Sequence, residues 1–254
     1  MSLLPPKIRI SDRFELKYLL NQAQYEAMAG ELARYMVRDE RGDEHGRYLI
    51  TSLYYDTADH QAYWDKLEGH RFRRKIRVRV YGREQVTLET LCFAEIKQRI
   101  NKTLQKKRVI LPYAQAVALC GAGEAVTGED EADQATIDEI IYLYQTLQLQ
   151  STCIVSYQRH AFEGSDQDPG LRVTFDTQLR CRAHDLTLLS QGYADNQYFL
   201  PPSQCVMEVK VNNRAPYWIT ELISKYRCPL RRISKYCSAL EQAKLRLGQQ
   251  RVVY

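Results

Sequence analysis

Charged and apolar residues alternate with a period of two through much of this chain. In Arg73-Arg74-Lys75-Ile76-Arg77-Val78-Arg79-Val80-Tyr81, the positions Arg73, Lys75, Arg77, Arg79 and Tyr81 share one face of a predicted strand. Ile76, Val78 and Val80 share the other, with Arg74 the one exception. Same-face neighbours on a strand lie about 6.6 Å apart, twice the rise per residue. At an effective dielectric of about 20, each adjacent like-charged pair then costs about 2.5 kcal/mol. An open surface would screen these charges with water and salt. The same alternation returns in Arg13-Phe14-Glu15-Leu16-Lys17, in Ala94 to Arg99, in Leu171 to Asp176 and in Met207 to Asn212. A half-buried sheet needs only a polar face; five strands that build it from Arg, Lys and a few Glu imply an enclosed cationic bore.

The pattern predicts eight strands, at 12–18, 48–55, 72–81, 91–99, 105–111, 152–161, 171–177 and 206–212. Asn21 caps a helix running to about Arg38, with Tyr25, Leu32, Tyr35 and Met36 on its apolar side. Asp56-Thr57 caps a short helix holding Tyr63, Trp64 and Leu67. The basic strand turns at Gly82, and Asn101-Lys102 joins the next two strands as a hairpin. Pro112 opens a helix reaching Cys120, residues 121–134 read as a mobile acidic loop, and Thr136 to Leu149 is an amphipathic helix. A turn at Gly164-Ser165-Asp166 and a loose segment with Pro201-Pro202 follow. Helices at 216–227 and about 233–247 end the chain, with Gly248 as the stop. The expected fold is α+β: a single domain over residues 1–254, a closed antiparallel eight-stranded barrel with a charged basic interior and helices packed outside.

Composition narrows the chemistry. A net charge of +5 over 254 residues is mild for a nucleic-acid protein. Seven scattered cysteines without a CxxC pair argue against a disulfide framework or zinc site and suit a reducing cytoplasm. The start lacks the apolar core of a signal peptide, and no run is long enough to span a bilayer. The five histidines show no metal spacing. Gly121-Ala122-Gly123 leads into an acidic stretch that would repel phosphate. Cations with a few carboxylates suit a polyphosphate-like anion with a divalent metal: guanidinium forks and ammonium groups take phosphate oxygens, and carboxylates are hard ligands for Mg²⁺ or Mn²⁺. The tyrosines could stack bases, but inward cations suit a narrow chain of phosphates better than a duplex.

Eight segments in order then resemble a known family. Arg13-Phe14-Glu15-Leu16-Lys17-Tyr18, Ser52 to Thr57, Arg77 to Gly82, Glu95-Ile96-Lys97, Ser156 to Arg159, Arg172 to Thr177, Met207 to Lys210 and Ser234-Lys235-Tyr236 are similar to the VTC domain, the polyphosphate polymerase branch of the triphosphate tunnel metalloenzymes. The resemblance covers about residues 9 to 245. It implies a tunnel barrel that extends inorganic polyphosphate from the γ-phosphate of ATP with Mn²⁺ or Mg²⁺. It implies phosphate contacts at Lys17, Arg77, Arg79, Lys97, Lys106, Arg159, Arg172, Lys210 and Lys235, and a metal carboxylate at Glu208. Lys107 and Arg108 adjoin Lys106, so at this position the resemblance chooses among three neighbouring cations. Glu15 and Glu95 are expected to join Glu208 as metal helpers, on their inward phase alone. Catalysis is expected at Arg77, Arg79, Lys97, Arg159, Arg172 and Glu208.

The related CYTH hydrolases begin Glu-x-Glu-x-Lys, whereas Arg13 occupies the first acidic position here, which favours a polymerase. Two alternatives stand: a metal-dependent tripolyphosphatase or nucleoside triphosphatase, and a non-catalytic polyphosphate-binding module. Fungal members carry a phosphate-sensing domain and membrane helices absent from these residues, so a membrane partner for the product would be a separate chain.

Overall fold

The computed structural model describes residues 13–82, 85–101, 103–190, 197–212 and 214–243. Lys102 of the expected hairpin turn and the helix end at Leu247 and Gly248 lie outside them. Eight strands form one antiparallel sheet: β1 (Arg13–Asn21), β3 (Arg47–Asp56), β4 (Phe72–Tyr81), β5 (Leu91–Ile100), β6 (Thr103–Pro112), β7 (Gln150–Gly164), β8 (Arg172–Arg182) and β9 (Gln204–Asn212). Their order is β1-β9-β8-β7-β3-β4-β5-β6. The short β2 (Met36–Arg38) pairs with the end of β7.

The sheet curls until its edges, β1 and β6, come within 8 Å of each other between Cα atoms. No ladder joins these edges among the described residues, so the expected closed barrel is a curled sheet with a seam. Part of the β1 edge is taken by the chain before the last helix: Leu19 N–H donates to Pro229 O at 3.1 Å and Arg231 N–H to Lys17 O at 2.8 Å. Across the seam, Lys97 Nζ on β5 meets Glu15 Oε2 on β1 at 3.5 Å.

The apolar faces point outward and are covered by helices. α3 (Tyr113–Ala122) and α4 (Glu131–Leu147) bury Ala116, Leu119, Ile137 and Ile140 against Ile76, Val78, Ala94 and Ile96. α1 (Gln22–Tyr35) and α5 (Tyr217–Lys225) place Met28, Leu32 and Ile219 against Phe175, Met207 and Val209. Burial of this apolar area, at about 25 cal/mol per Å², is what fixes the strand register. The charged faces are thereby directed inward. α2 (Gln61–Leu67) and α6 (Lys235–Gln242) pack at one end, where Tyr236, Ala239 and Leu240 lie among Tyr54, Cys153, Val155 and Cys181.

Two segments differ from the sequence expectation. α1 stops at Tyr35, and Met36 to Arg38 become β2, because Met36 is buried beside Phe162 while extended pairing with β7 occupies the backbone. The expected mobile loop at 121–134 is shorter: α3 ends at Gly123, whose φ of 67° lies in the left-handed region, and Asp130 caps α4 by accepting from Asp133 N–H. At the β5–β6 turn Asn101 takes φ 55°, as a tight hairpin requires.

Candidate functional site

Strand alternation sets the site. With Ile76, Val78 and Val80 buried under α3 and α4, Lys75, Arg77 and Arg79 must face the bore. The same logic turns Glu95 and Lys97 of β5, Arg159 of β7, Arg172 and Asp176 of β8, and Glu208 and Lys210 of β9 inward. The cavity has a volume of about 520 Å³. Its wall carries Glu15, Arg77, Arg79, Lys97, Lys106, Arg159, Arg172 and Lys210. Of the expected contacts, Lys17 and Lys235 are not on that wall; they lie beside it, bound to Glu208. Lys106 faces inward while Lys107 turns out to Glu139 of α4 at 2.6 Å, which separates the two adjacent lysines.

Beside that wall Asp176 and Glu208, which do not line the cavity, and Glu15, which does, are linked by shared cations. Arg159 donates to Asp176 at 2.7 and 2.8 Å and approaches Glu208 Oε2 at 3.5 Å. Lys235 Nζ spans Asp176 Oδ2 at 2.6 Å and Glu208 Oε1 at 2.7 Å. Lys17 Nζ joins Glu208 at 3.4 Å to Glu15 at 3.1 Å, and Lys210 lies 3.2 Å from Glu208 Oε2. Burial pushes the Glu208 carboxyl up, but Lys235, Lys17, Lys210 and Arg159 overcome it and hold it well below the ordinary carboxylate range. Glu15 behaves likewise under Lys97 and Lys17.

A second group lines the β4–β5 wall. Arg77 Nη2 lies 2.5 Å from the fully buried Glu95, and Arg77 Nη1 donates to Tyr54 at 3.0 Å. Arg79 Nε donates to Ser52 Oγ at 2.9 Å and Nη2 to the Tyr157 hydroxyl at 3.3 Å. These neutral partners aim the guanidinium without cancelling its charge. Burial lowers Lys106 to about 7 against Glu95, and Lys210 to about 8 against Glu208 and Glu15. At the other end of the cavity Arg172 donates to Asp39 at 2.6 Å and Tyr48 at 3.0 Å, and pairs with Glu163.

The donor chemistry fits a divalent cation at Glu208 and Glu15. Among the described residues no three His, Cys, Asp or Glu groups meet as a ready cage. Mg²⁺ and Mn²⁺ sites built on one or two carboxylates complete their shell with phosphate oxygens, which suits two hard donors sharing one ammonium. Glu95 is different: Arg77 and Lys106 are its partners, and it is the counter-ion of the arginine wall.

The alternation alone did not single out Asp176, although it shares the phase of Arg172 and Thr174 and could have been read from it. Asp39, Tyr48, Tyr157 and Glu163 reach the site through non-local register, which leaves no local signal.

The VTC domain family matches residues 12–244. Vacuolar transporter chaperone complex subunit 4 of Trypanosoma brucei brucei is 29% identical over 226 residues, covering 75% of this chain and 28% of that protein. The chain thus spans little more than a quarter of that relative's length. Two solved structures share the fold. One is a candidate adenylate cyclase of Bacillus halodurans, with TM-score 0.51, 14% identity, and coverage of 89% of this chain and 96% of that one. The other is a candidate adenylyl cyclase of Hippeastrum described as having a dominant triphosphatase activity, with TM-score 0.50, 13% identity, and coverage of 92% and 99%. The curled sheet, its inward cations and the match across nearly the whole chain agree: the chain belongs to the VTC domain family.

Proposed function

We propose that this protein is an ATP–polyphosphate phosphotransferase that lengthens inorganic polyphosphate inside the bore. The observation that carries the reading is the convergence of arginines and lysines from β4, β5, β6, β7, β8 and β9 on one 520 Å³ cavity. Phosphoryl transfer asks a protein mainly for positioning and charge stabilisation. Arg77, Arg79, Arg159 and Arg172 hold the triphosphate and neutralise charge on the transferred group. Lys97, Lys106 and Lys210 guide the terminal phosphate of the acceptor chain, while Lys17 and Lys235 stand behind them against Glu208. An anionic oxygen of that terminal phosphate attacks the γ-phosphorus, the bond to the β-phosphate oxygen breaks, and ADP leaves. Because the nucleophile is already deprotonated, no general base is needed. Glu208, with Glu15 beside it, is the proposed holder of Mn²⁺ or Mg²⁺, which would supply charge neutralisation on the phosphate oxygens.

Purified protein incubated with ATP and Mn²⁺ or Mg²⁺ is expected to make long-chain polyphosphate, resolved on a gel. No chain growth with either metal, with or without a short primer, rejects the polymerase. A second reading, a metal-dependent triphosphatase, draws on the closeness of Glu15 and Glu208 around Lys17; release of free phosphate without chain growth in the same assay would select it. Binding without turnover would select the polyphosphate-binding module. Nucleic acid is not the expected ligand. The trypanosome relative is by name a subunit of a vacuolar transporter chaperone complex, so a partner chain that receives the product is part of the proposal. No helix among the described residues is long and apolar enough to cross a membrane.

A further inference from the structure

The charges around the bore are unevenly arranged. On one half of the sheet the cations face carboxylates in register: Lys210 lies between Glu15 and Arg172, Arg172 in turn faces Glu163, and Lys17 faces Glu208 in the next row. On the other half they do not. Lys75, Lys97 and Lys106 occupy one row across β4, β5 and β6, and one step further Arg73 stands directly opposite Arg99. Like charges directly opposed on neighbouring strands are destabilising. Glu95, in the row of Arg77 and Arg108, is the one carboxylate these three strands set on that face among the described residues.

The cations at the end of this ladder lack the relief given to those inside. Lys75 has Ser234 Oγ at 3.0 Å and the Tyr236 ring at 4.7 Å, and Lys97 has Glu15. Arg99 donates to Asn101 O at 2.8 Å, and neither Arg73 nor Arg99 has a carboxylate within ion-pair distance among the described residues. Both are half-buried and lie beyond the cavity wall. Lys66 of α2 and the exposed Arg232 lie at the same corner; burial, Arg73, Lys75 and Arg232 all lower the Lys66 ammonium. The acid that acts on Arg73 is Asp65, which is already engaged by His70 at 3.1 Å.

We propose that Arg73, Arg99, Lys66 and Arg232 form an outer anion track that holds the distal part of a linear polyphosphate chain whose end lies in the cavity. The track continues the Lys75–Lys97–Lys106 row by one strand step of about 6.6 Å, so one unbranched polyanion can touch both. The ring on β4 next to it, Phe72, lies on the opposite face and is covered by Arg74 at 4.5 Å. The proposal rests on the phosphate-binding reading of the cavity.

The test compares tripolyphosphate with long-chain polyphosphate on the unaltered protein, on Arg99→Gln and on the double variant Arg73→Gln/Arg99→Gln. Tripolyphosphate affinity is expected to stay unchanged, because the cavity is untouched. Long-chain affinity should fall about tenfold in the double variant, as expected for two lost charge contacts. Its dependence on salt should become shallower. The melting temperature of the protein alone should rise in both variants, since a like-charged pair is removed; a purely structural role predicts a fall. Unchanged long-chain binding, an equal loss for both ligands, or tighter binding of single-stranded RNA than of long-chain polyphosphate overturns the track. Failure of the unaltered protein to bind tripolyphosphate overturns the cavity reading and the track with it.

Discussion

Arg159 on β7 grips Asp176 on the neighbouring β8 through two parallel bonds, Nε to Oδ1 at 2.7 Å and Nη2 to Oδ2 at 2.8 Å, and both side chains are buried. Asp176 also holds Lys235, so two cations depend on one carboxylate. Asp176→Asn removes the charge and leaves Glu208 to balance both. Breaking a buried pair in this way costs about 3–5 kcal/mol, to be read by urea unfolding. The same change makes the bore more cationic, so excess polyphosphate should raise the variant's melting temperature more than the parent's.

Glu208 is surrounded by Lys17, Lys210, Lys235 and Arg159, each within 3.5 Å. Glu208→Gln is expected to weaken metal affinity and turnover by at least about 100-fold, the upper range for losing metal-site groups. Tripolyphosphate binding measured in chelator should strengthen, because a competing anion leaves the bore. Equal loss of both would mean that Glu208 serves only to hold the site together.

The depressed lysines give a pH signature. Lys210 titrates near 8 and Lys106 near 7, below the ordinary 10.5. Between 8 and 10.5 the unfolded chain binds the Lys210 proton and the folded chain does not, so this group makes stability rise with pH in that window. A bound phosphate reverses the bias by favouring the ammonium. Binding is therefore expected to take up protons above pH 7 to 8, and affinity to fall as pH rises through that range. Calorimetry in buffers of different ionisation enthalpy measures the uptake; Lys210→Arg should diminish it.

Much of the self-repulsion on the β4–β5–β6 wall would be relieved by a polyanion. Saturation with polyphosphate at a thousandfold above Kd should add about 4 kcal/mol to stability, seen as a higher melting temperature. An equal charge concentration of sulfate should add far less, because separate ions pay separately for confinement.

The inward face was legible because a period of two is a local signal, and Lys75, Arg77 and Arg79 keep it without interruption. The three-way choice among Lys106, Lys107 and Arg108 was not, since neighbouring cations look alike until Val109 and Leu111 are known to lie under the helices. Asp176 was legible in phase but looked ordinary, because its significance comes from Arg159 and Lys235, which are far away in sequence. The seam between β1 and β6 could not be read either: alternation gives the number of strands and their faces, and says nothing about whether the last meets the first. Tyr35 ends α1 for a reason that also lies elsewhere, in the free edge of β7 that Met36 to Arg38 complete.

The most direct measurement is a crystal structure of the protein with tripolyphosphate and Mn²⁺. The account predicts phosphates in the bore, within hydrogen-bond distance of Arg77, Arg79 and Arg159, with the metal on Glu208. Phosphates bound only on the outer surface, with the Arg159–Asp176 and Arg77–Glu95 pairs undisturbed around an empty cavity, would contradict it.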